Sequence, residues 1–388
     1  MSATFLAAST SSSASHIPLS EPTLETNAWT YVKDALDSGW VSSVGPYVDR
    51  FERAFADYFQ VPRTVATVNG TAALHIALLL AGVQPGDEVI VPSLTFIASI
   101  NVIRYIGAIP VFWDSQSDHW NADPALLHGL ITPKTKAIMA VHLYGDAMDM
   151  GPILALAEAY NLKVIEDAAE ALGADWNGQP CGAIGDVGCL SFNGNKTLTT
   201  GGGGLIVSKH ADLLSRAHYL INQAKDDGLT FTHNEVGYNY RLTNLQAALG
   251  VAQLECLPRF LENRRRIWQR YQAAFAGHPQ LTLFEALPNT TRSAWLYGVA
   301  INPQTLPDME AMDMVNALSQ RQIQSRPFFK PGHQQKPFQP FVSDSLPNAD
   351  RWHQLGFNLP SSSSLSPADQ ERVIEAVLDI LNHRKTQS

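Results

Sequence analysis

Apolar residues in this chain fall in short runs, and most runs are followed by a longer segment of helix-forming residues. The runs predict strands at Thr64–Val68, Glu88–Val91, Ile109–Trp113, Ala137–His142, Lys163–Glu166, Val187–Phe192 and Gly204–Ser208. Helices are predicted at Thr71–Leu80, Phe96–Tyr105, Asp149–Tyr160 and Ala211–Ile221. Strands alternating with helices in this way belong to a mostly parallel sheet covered by helices. The polar stretch Asn222–Asn234 reads as a long mobile loop. Leu242–Ala273 reads as a long helical region, broken near Pro258, that leads into a second domain. The fold class expected is therefore α/β. A large domain over residues 19–257 carries a mostly parallel seven-stranded sheet flanked by helices, and a smaller C-terminal α/β domain spans residues 258–388. Residues 1–18 are expected to be a mobile N-terminal segment; residues 1–16 are rich in Ser and Ala and lack the basic start and apolar centre of a secretory signal.

Composition narrows the class without identifying the chemistry. A chain of 388 residues, 45% hydrophobic, can bury a substantial core and is long enough for two domains. Its net charge of −9 argues against a nucleic-acid partner. The longest apolar stretch, Ala73 to Val83, is far shorter than the roughly 20 residues of a membrane span, so no membrane partner is expected. Cys181, Cys189 and Cys256 are odd in number and show no metal-ligand spacing; they read as reduced thiols of a cytoplasmic protein that holds no metal.

Three segments carry candidate chemistry. In Ser191-Phe-Asn-Gly-Asn-Lys-Thr-Leu-Thr-Thr200, which runs into Gly201–Gly204, Lys196 stands alone among small polar residues with no charged neighbour in sequence. An amine that is unpaired and partly desolvated can act as a nucleophile toward an aldehyde. Four consecutive glycines point to a backbone that must approach something closely. In Lys163-Val-Ile-Glu-Asp167 a buried strand ends in two acids, and the carboxyl end of a parallel strand faces the ligand crevice of an α/β protein. Successive strand residues face opposite sides, so one of Glu166 and Asp167 points into the site and the other away. In Thr64–Leu74 a strand meets Asn-Gly-Thr and then a helix, which sets Gly70, Thr71 and Ala72 at a helix amino terminus suited to a phosphate. A lysine, an acid and a phosphate anchor together suit pyridoxal 5′-phosphate (PLP), whose ring nitrogen stays protonated beside a carboxylate; Asp167 fits that task better than Glu166. A P-loop reading fails, because Asn195 stands where glycine must precede the lysine.

With these segments in order, the chain resembles the DegT-like sugar-nucleotide aminotransferases, PLP enzymes of the aspartate-aminotransferase fold. The resemblance runs from about Gly39 to about Ser363. It includes Gly39–Glu52, Asn69–Leu74, Pro85–Phe96, Val141–Gly145, Glu166–Ala169, the Lys196 segment and Gly237–Arg241. It implies that Lys196 binds the cofactor aldehyde, Asp167 pairs with the ring nitrogen, Phe96 stacks on the ring, and Thr71, Ala72 and Ser191 hold the phosphate. Asn239 would reach the phosphate of the neighbouring subunit, making a homodimer with composite sites. The same resemblance implies L-glutamate, giving 2-oxoglutarate, as amino donor and a nucleotide-linked keto sugar as acceptor, for surface-glycan biosynthesis.

Two residues depart from the commonest family pattern. Glu170 replaces a glutamine and Gly202 replaces an acid, and both changes look like the branch that aminates C4 of UDP-linked 2-acetamido-4-keto sugars. A GDP-4-keto-6-deoxymannose aminotransferase, which makes perosamine, is the second reading, and a catalytically silent PLP-fold binding protein is a third. Ser42, Ser43, Arg241, Arg326 and His333 are substrate-side candidates: the first two sit in a loop that can cradle a diphosphate, and the arginines can grip phosphate bidentately. A tight turn or a proline-rich connector reads equally well from the same residues, and His142 is expected to be structural.

Overall fold

Strands sandwiched between two helical layers must be apolar on both faces, and seven segments of the chain are buried along nearly their whole length. They are β1 (Thr64–Thr67), β2 (Glu88–Pro92), β3 (Ile109–Trp113), β4 (Thr135–Val141), β5 (Lys163–Asp167), β6 (Val187–Ser191) and β7 (Gly204–Val207). The computed structural model describes residues 15–385. Across the sheet the order is β1-β7-β6-β5-β4-β2-β3. Neighbours run parallel except at β7, which is antiparallel to both β1 and β6. The sequence-based strand limits agree to within two residues. The one that matters is β5, which continues through Asp167, paired with Val141 on one side and Cys189 on the other.

Alternation along each strand feeds two separate cores. Val65, Met139 and Ile165 join the apolar cluster on one side of the sheet, and Ala66, Ile138 and Val164 join the cluster on the other. By the same period of two, Glu166 shares a side with Val164 and Asp167 shares a side with Ile165.

A second, antiparallel sheet lies within residues 258–388. It comprises Leu281–Thr282, Tyr297–Ile301, Gly356–Leu359 and Arg326–Pro327, in that spatial order. Its apolar residues, among them Tyr297, Val299 and Phe357, merge with the cluster that contains Val65 and Ile165. The expected helical region 242–273 is two helices, Asn244–Glu255 and Leu257–Phe275, joined at Cys256. Pro258 falls in the first turn of the second helix, where its missing N–H costs nothing. A side-chain box starts the first: the Gln246 backbone N–H donates to Thr243 Oγ1.

Two segments expected to be mobile carry defined hydrogen bonds. Asn222–Asn234 contains paired strands, Lys225–Asp227 with Thr232–His233, because Asp227 accepts the Leu229 and Thr230 N–H groups and closes the turn between them. Residues 1–14 of the expected N-terminal segment lie outside the described residues, but Ile17 is 2% exposed and exchanges backbone hydrogen bonds with Gln322 and Gln324 at 2.9 Å each. Cys181, Cys189 and Cys256 are buried thiols. Among the described residues no helix is long and apolar enough to cross a membrane.

The end of β5 rests on Glu166, which is fully buried and accepts from the Gly182, Ile184 and Gly185 N–H groups at 2.7–2.8 Å. Burial alone would raise its carboxyl, but His142 Nε2 at 3.0 Å and these backbone donors hold it below the ordinary glutamate value of 4.5. A depressed acid contributes stability that is complete above about pH 4.5 and is lost as pH falls through the lower folded value. Glu166→Ala, which strands three buried N–H groups, should cost about 3 kcal/mol or more at pH 7. Denaturant unfolding from pH 7 down to pH 3 should show the difference from wild type shrinking below pH 4.5; a constant difference would contradict this account.

Candidate active site

Because Glu166 is sealed on one side of β5, Asp167 opens on the other. Its Oδ2 accepts from Ser99 Oγ at 2.6 Å and its Oδ1 from the Ala169 N–H at 3.1 Å. Ser99 lies in the first turn of the helix Ala98–Tyr105, so the strand end and the following helix fix the carboxylate together. Asp167 lines a cavity of about 650 Å³ at the carboxyl end of the sheet, where an open α/β sheet presents its binding crevice.

Lys196 enters this cavity from the loop between β6 and β7. The loop is closed by Phe192 N–H to Gly203 at 2.8 Å and Thr200 N–H to Phe192 at 3.0 Å. The lysine is not without a charged neighbour, as its local sequence suggested. Its Nζ lies 3.2 Å from Glu170 Oε1 and 4.0 Å from the centroid of the Trp295 ring. Glu170 arrives from the turn after β5, and a partner 26 residues upstream is outside the reach of local sequence context. Burial pushes the Glu170 carboxyl above its ordinary value and the Asp167 charge adds to this, against the pull of Lys196 and the Tyr144 N–H. That N–H donates to Glu170 Oε2 at 2.8 Å from a residue with φ 55°, a left-handed conformation that is uncommon for a bulky aromatic.

The glycine run has a local explanation. A Cβ on Gly204 would lie 2.5 Å from the Asn69 carbonyl and 2.7 Å from Gly70 N, so β7 passes directly against the turn that opens the helix Gly70–Leu80. A Cβ on Gly70 would meet Ser191 Cβ at 2.8 Å, which brings the helix start and the end of β6 into contact. Gly70, Thr71 and Ser191 all line the cavity. Ala72 does not: its N–H is taken by Asn69 Oδ1 at 2.8 Å, the side chain that caps the helix. Phe96 also lines the cavity, about half exposed, its ring 5.5 Å from that of Phe329.

The other candidates divide. Arg326 joins the cavity from the second sheet. His333 is outside its lining and ties the two halves together, with Nδ1 2.7 Å from Ser93 Oγ and Nε2 2.8 Å from Asp350. Ser43 and Arg241 line a separate groove of about 410 Å³, where the arginine donates to the Ser43 carbonyl and to Asn222 Oδ1; Ser42 is beside it, its carbonyl accepting from Asn244 N–H. Asn239 is exposed, bridged by its backbone to Asn222, and away from the cavity of its own chain. Sequence reasoning missed Trp295, Phe329, Lys330, His353 and Asn358, all lining the cavity from the second half of the chain, and Leu19 from the N-terminal strap.

These residues fit PLP. The Lys196 amine, 12% exposed, and the strand-end carboxylate of Asp167 line one cavity, and a helix start is kept free of side-chain bulk by glycine on both sides. Gly70, Thr71 and Ser191 would hold the phosphate, Asp167 the ring nitrogen and Lys196 the aldehyde carbon. Gly204→Ala should displace the Asn69–Gly70 turn and weaken PLP affinity by about tenfold or more while leaving the fold intact; equilibrium titration of the apo-protein with PLP measures it, and unchanged affinity would show that the close packing of β7 on this turn is unimportant.

Residues 22–378 match the DegT/DnrJ/EryC1/StrS aminotransferase family. The GDP-perosamine synthase of Caulobacter vibrioides is 43% identical over 375 residues, covering 94% of this chain and 98% of its own. The GDP-perosamine synthase of Escherichia coli O157:H7 is 40% identical over 365 residues, covering 93% and 98% respectively. The aminotransferase TlmJ from Streptoalloteichus hindustanus has a solved structure that matches with a TM-score of 0.89 at 30% identity, over 95% of this chain and 100% of that one. A lysine, an aspartate and a phosphate-ready helix start in one cavity, inside a fold and sequence shared with these proteins over nearly the whole chain, place the protein in the DegT/DnrJ/EryC1/StrS family of PLP-dependent sugar aminotransferases.

Proposed function

We propose that this aminotransferase moves the amino group of L-glutamate to C4 of GDP-4-keto-6-deoxymannose, giving GDP-perosamine for a surface glycan. The observation that carries the sugar is the likeness, across nearly full length, to two GDP-perosamine synthases. The sequence had pointed instead to a UDP-linked 2-acetamido-4-keto sugar through Glu170 and Gly202. Glu170 engages Lys196 and the Tyr144 N–H, and the Gly202 carbonyl accepts from Gln246 Nε2 at 2.6 Å. Both residues have partners within the lysine loop and its surroundings, which accounts for them without a contact to the substituent at C2 of a sugar.

When bound, PLP supplies an electron sink for the charge left as a proton leaves the carbon next to nitrogen. Asp167, fixed by Ser99 and Ala169, keeps the ring nitrogen protonated. Lys196 Nζ would accept the proton from the α-carbon of the amino donor, and Glu170 and Trp295 hold that amine at the cavity. Arg326 and Lys330 stand at the cavity on the second-sheet side and provide positive charge for the nucleotide diphosphate. Asn239, exposed and outside its own cavity, serves the phosphate site of a second subunit in a homodimer.

Three outcomes test this. The ratio of kcat/KM for GDP-4-keto-6-deoxymannose to that for UDP-2-acetamido-4-keto-2,6-dideoxyhexose should be well above one, and a preference for the UDP sugar would overturn the sugar while leaving the aminotransferase in place. Lys196→Ala should lower turnover by at least about a thousandfold, since Lys196 carries the amine held against Glu170 and Trp295. Mixing inactive Lys196→Ala subunits with inactive Asn239→Ala subunits should restore activity, because one of the two sites in a mixed dimer is intact; no recovery on mixing would remove the composite site.

A further inference from the structure

Trp295 has no assigned role, yet it contacts both the lysine and the residue before it. It lies two residues before the strand Tyr297–Ile301 and is 2% exposed. Its Nε1–H donates at 2.8 Å to the carbonyl of Asn195, the residue that precedes Lys196. Its ring face lies 4.0 Å from Lys196 Nζ. The Asn195 carbonyl also accepts from Ser20 Oγ at 2.9 Å, so the N-terminal strap holds the same peptide from another direction.

The turn that carries Trp295 is itself held in place. Arg264, fully buried on the helix Leu257–Phe275, donates through Nη1 to the carbonyls of Trp295 and Ser361 at 2.7 Å each. Ala294 has φ 54°, a conformation that a residue with a Cβ keeps only where its surroundings over-determine it. Ser293 donates through its N–H to the Gly145 carbonyl at 2.8 Å and through Oγ to the Glu170 carbonyl at 3.1 Å. The turn 293–295 therefore holds both groups that flank the amine, the Glu170 backbone through Ser293 and the indole through Trp295 itself.

We propose that Trp295 is a positioning residue for Lys196, its indole N–H fixing the peptide from which the side chain departs and its ring face holding the amine against Glu170. Lysine has a flexible four-carbon stem and a compact head, so the chain alone does not aim it. A hydrogen bond at the root and a cation–π contact at the tip restrain both ends of that stem. The proposal depends on PLP as cofactor but not on which sugar accepts the nitrogen.

The test uses the full chain stripped of cofactor, with Trp295→Phe keeping a ring face without the N–H and Trp295→Leu removing both. PLP capture is followed by absorbance, the attached cofactor is trapped with borohydride, and peptide masses give the fraction on Lys196. Trp295→Phe should capture PLP about fivefold more slowly, the value of one net hydrogen bond. Trp295→Leu should be about thirtyfold slower or more, with cofactor still bound but less of it trapped on Lys196, while circular dichroism stays that of the wild type. Capture by Trp295→Leu at the wild-type rate and wholly on Lys196 would overturn the proposal. So would losses in both variants that merely follow the folded fraction, since that is the signature of a structural role. If Trp295→Leu does not fold, Trp295→Phe decides: slowed capture by folded protein supports the assignment, and wild-type capture ends it.

Discussion

Glu166 and Asp167 are neighbours in sequence that cannot face the same way, and the site depends on which of them is sealed. Glu166 sinks into the protein because it meets a complete set of donors there, three N–H groups from the 182–185 turn and His142. An ionised carboxylate buried without such partners would be strongly destabilising; with them it becomes a bolt between β5, the turn before β6 and the end of β4. The register set in this way leaves Asp167 no choice but to open toward the cavity, where Ser99 receives it. The cavity face of the strand is thus held by a polar cluster that lies outside the cavity lining.

The parts legible in the sequence are those whose information is local. A strand buried on both faces is a short apolar run, and a helix start is a capping residue followed by helix formers, so the seven strands along the chain and the helix start at Gly70 could be read directly. The motif lysine was legible for the same reason. Its environment was not, because Glu170 and Trp295 reach it from 26 residues upstream and 99 residues downstream, through strand order and the docking of the second sheet. Ala72 shows the limit in miniature: its place at a helix start was legible, but whether its N–H was free depended on the rotamer of Asn69.

Backbone strain marks the places where the two halves were fitted to each other. Tyr144 and Ala294 both adopt left-handed conformations, and each delivers a neighbouring group to the amine's surroundings, the Tyr144 N–H to Glu170 and the indole that follows Ala294 to Lys196. Neither residue is a glycine, so composition carries no sign of the turn. Such conformations persist where dense packing and hydrogen bonds enforce them, and here the enforcing contacts are the Tyr144 hydroxyl, which accepts from Phe329 N–H, and Arg264 on the Trp295 carbonyl.

The division of labour between the halves explains why the cofactor was easier to read than the sugar. The residues of a single subunit proposed to hold PLP come from the large sheet and its loops, between Gly70 and Lys196, and only the proposed phosphate contact of Asn239 from a second subunit lies outside that span. Arg326, Phe329 and Lys330 come from a connector rich in proline and aromatics that is joined to the second sheet and, through the Phe329 N–H, to Tyr144. Glu170 and Gly202 belong to the first group, and a substitution in the cofactor half can track a branch of a family whether or not it contacts what that branch binds. Selectivity for a nucleotide sugar must then be sought in the second half and in the exposed segments near Asn239, where hydrogen bonds to the sugar would be made and where a missing partner carries the larger energetic penalty.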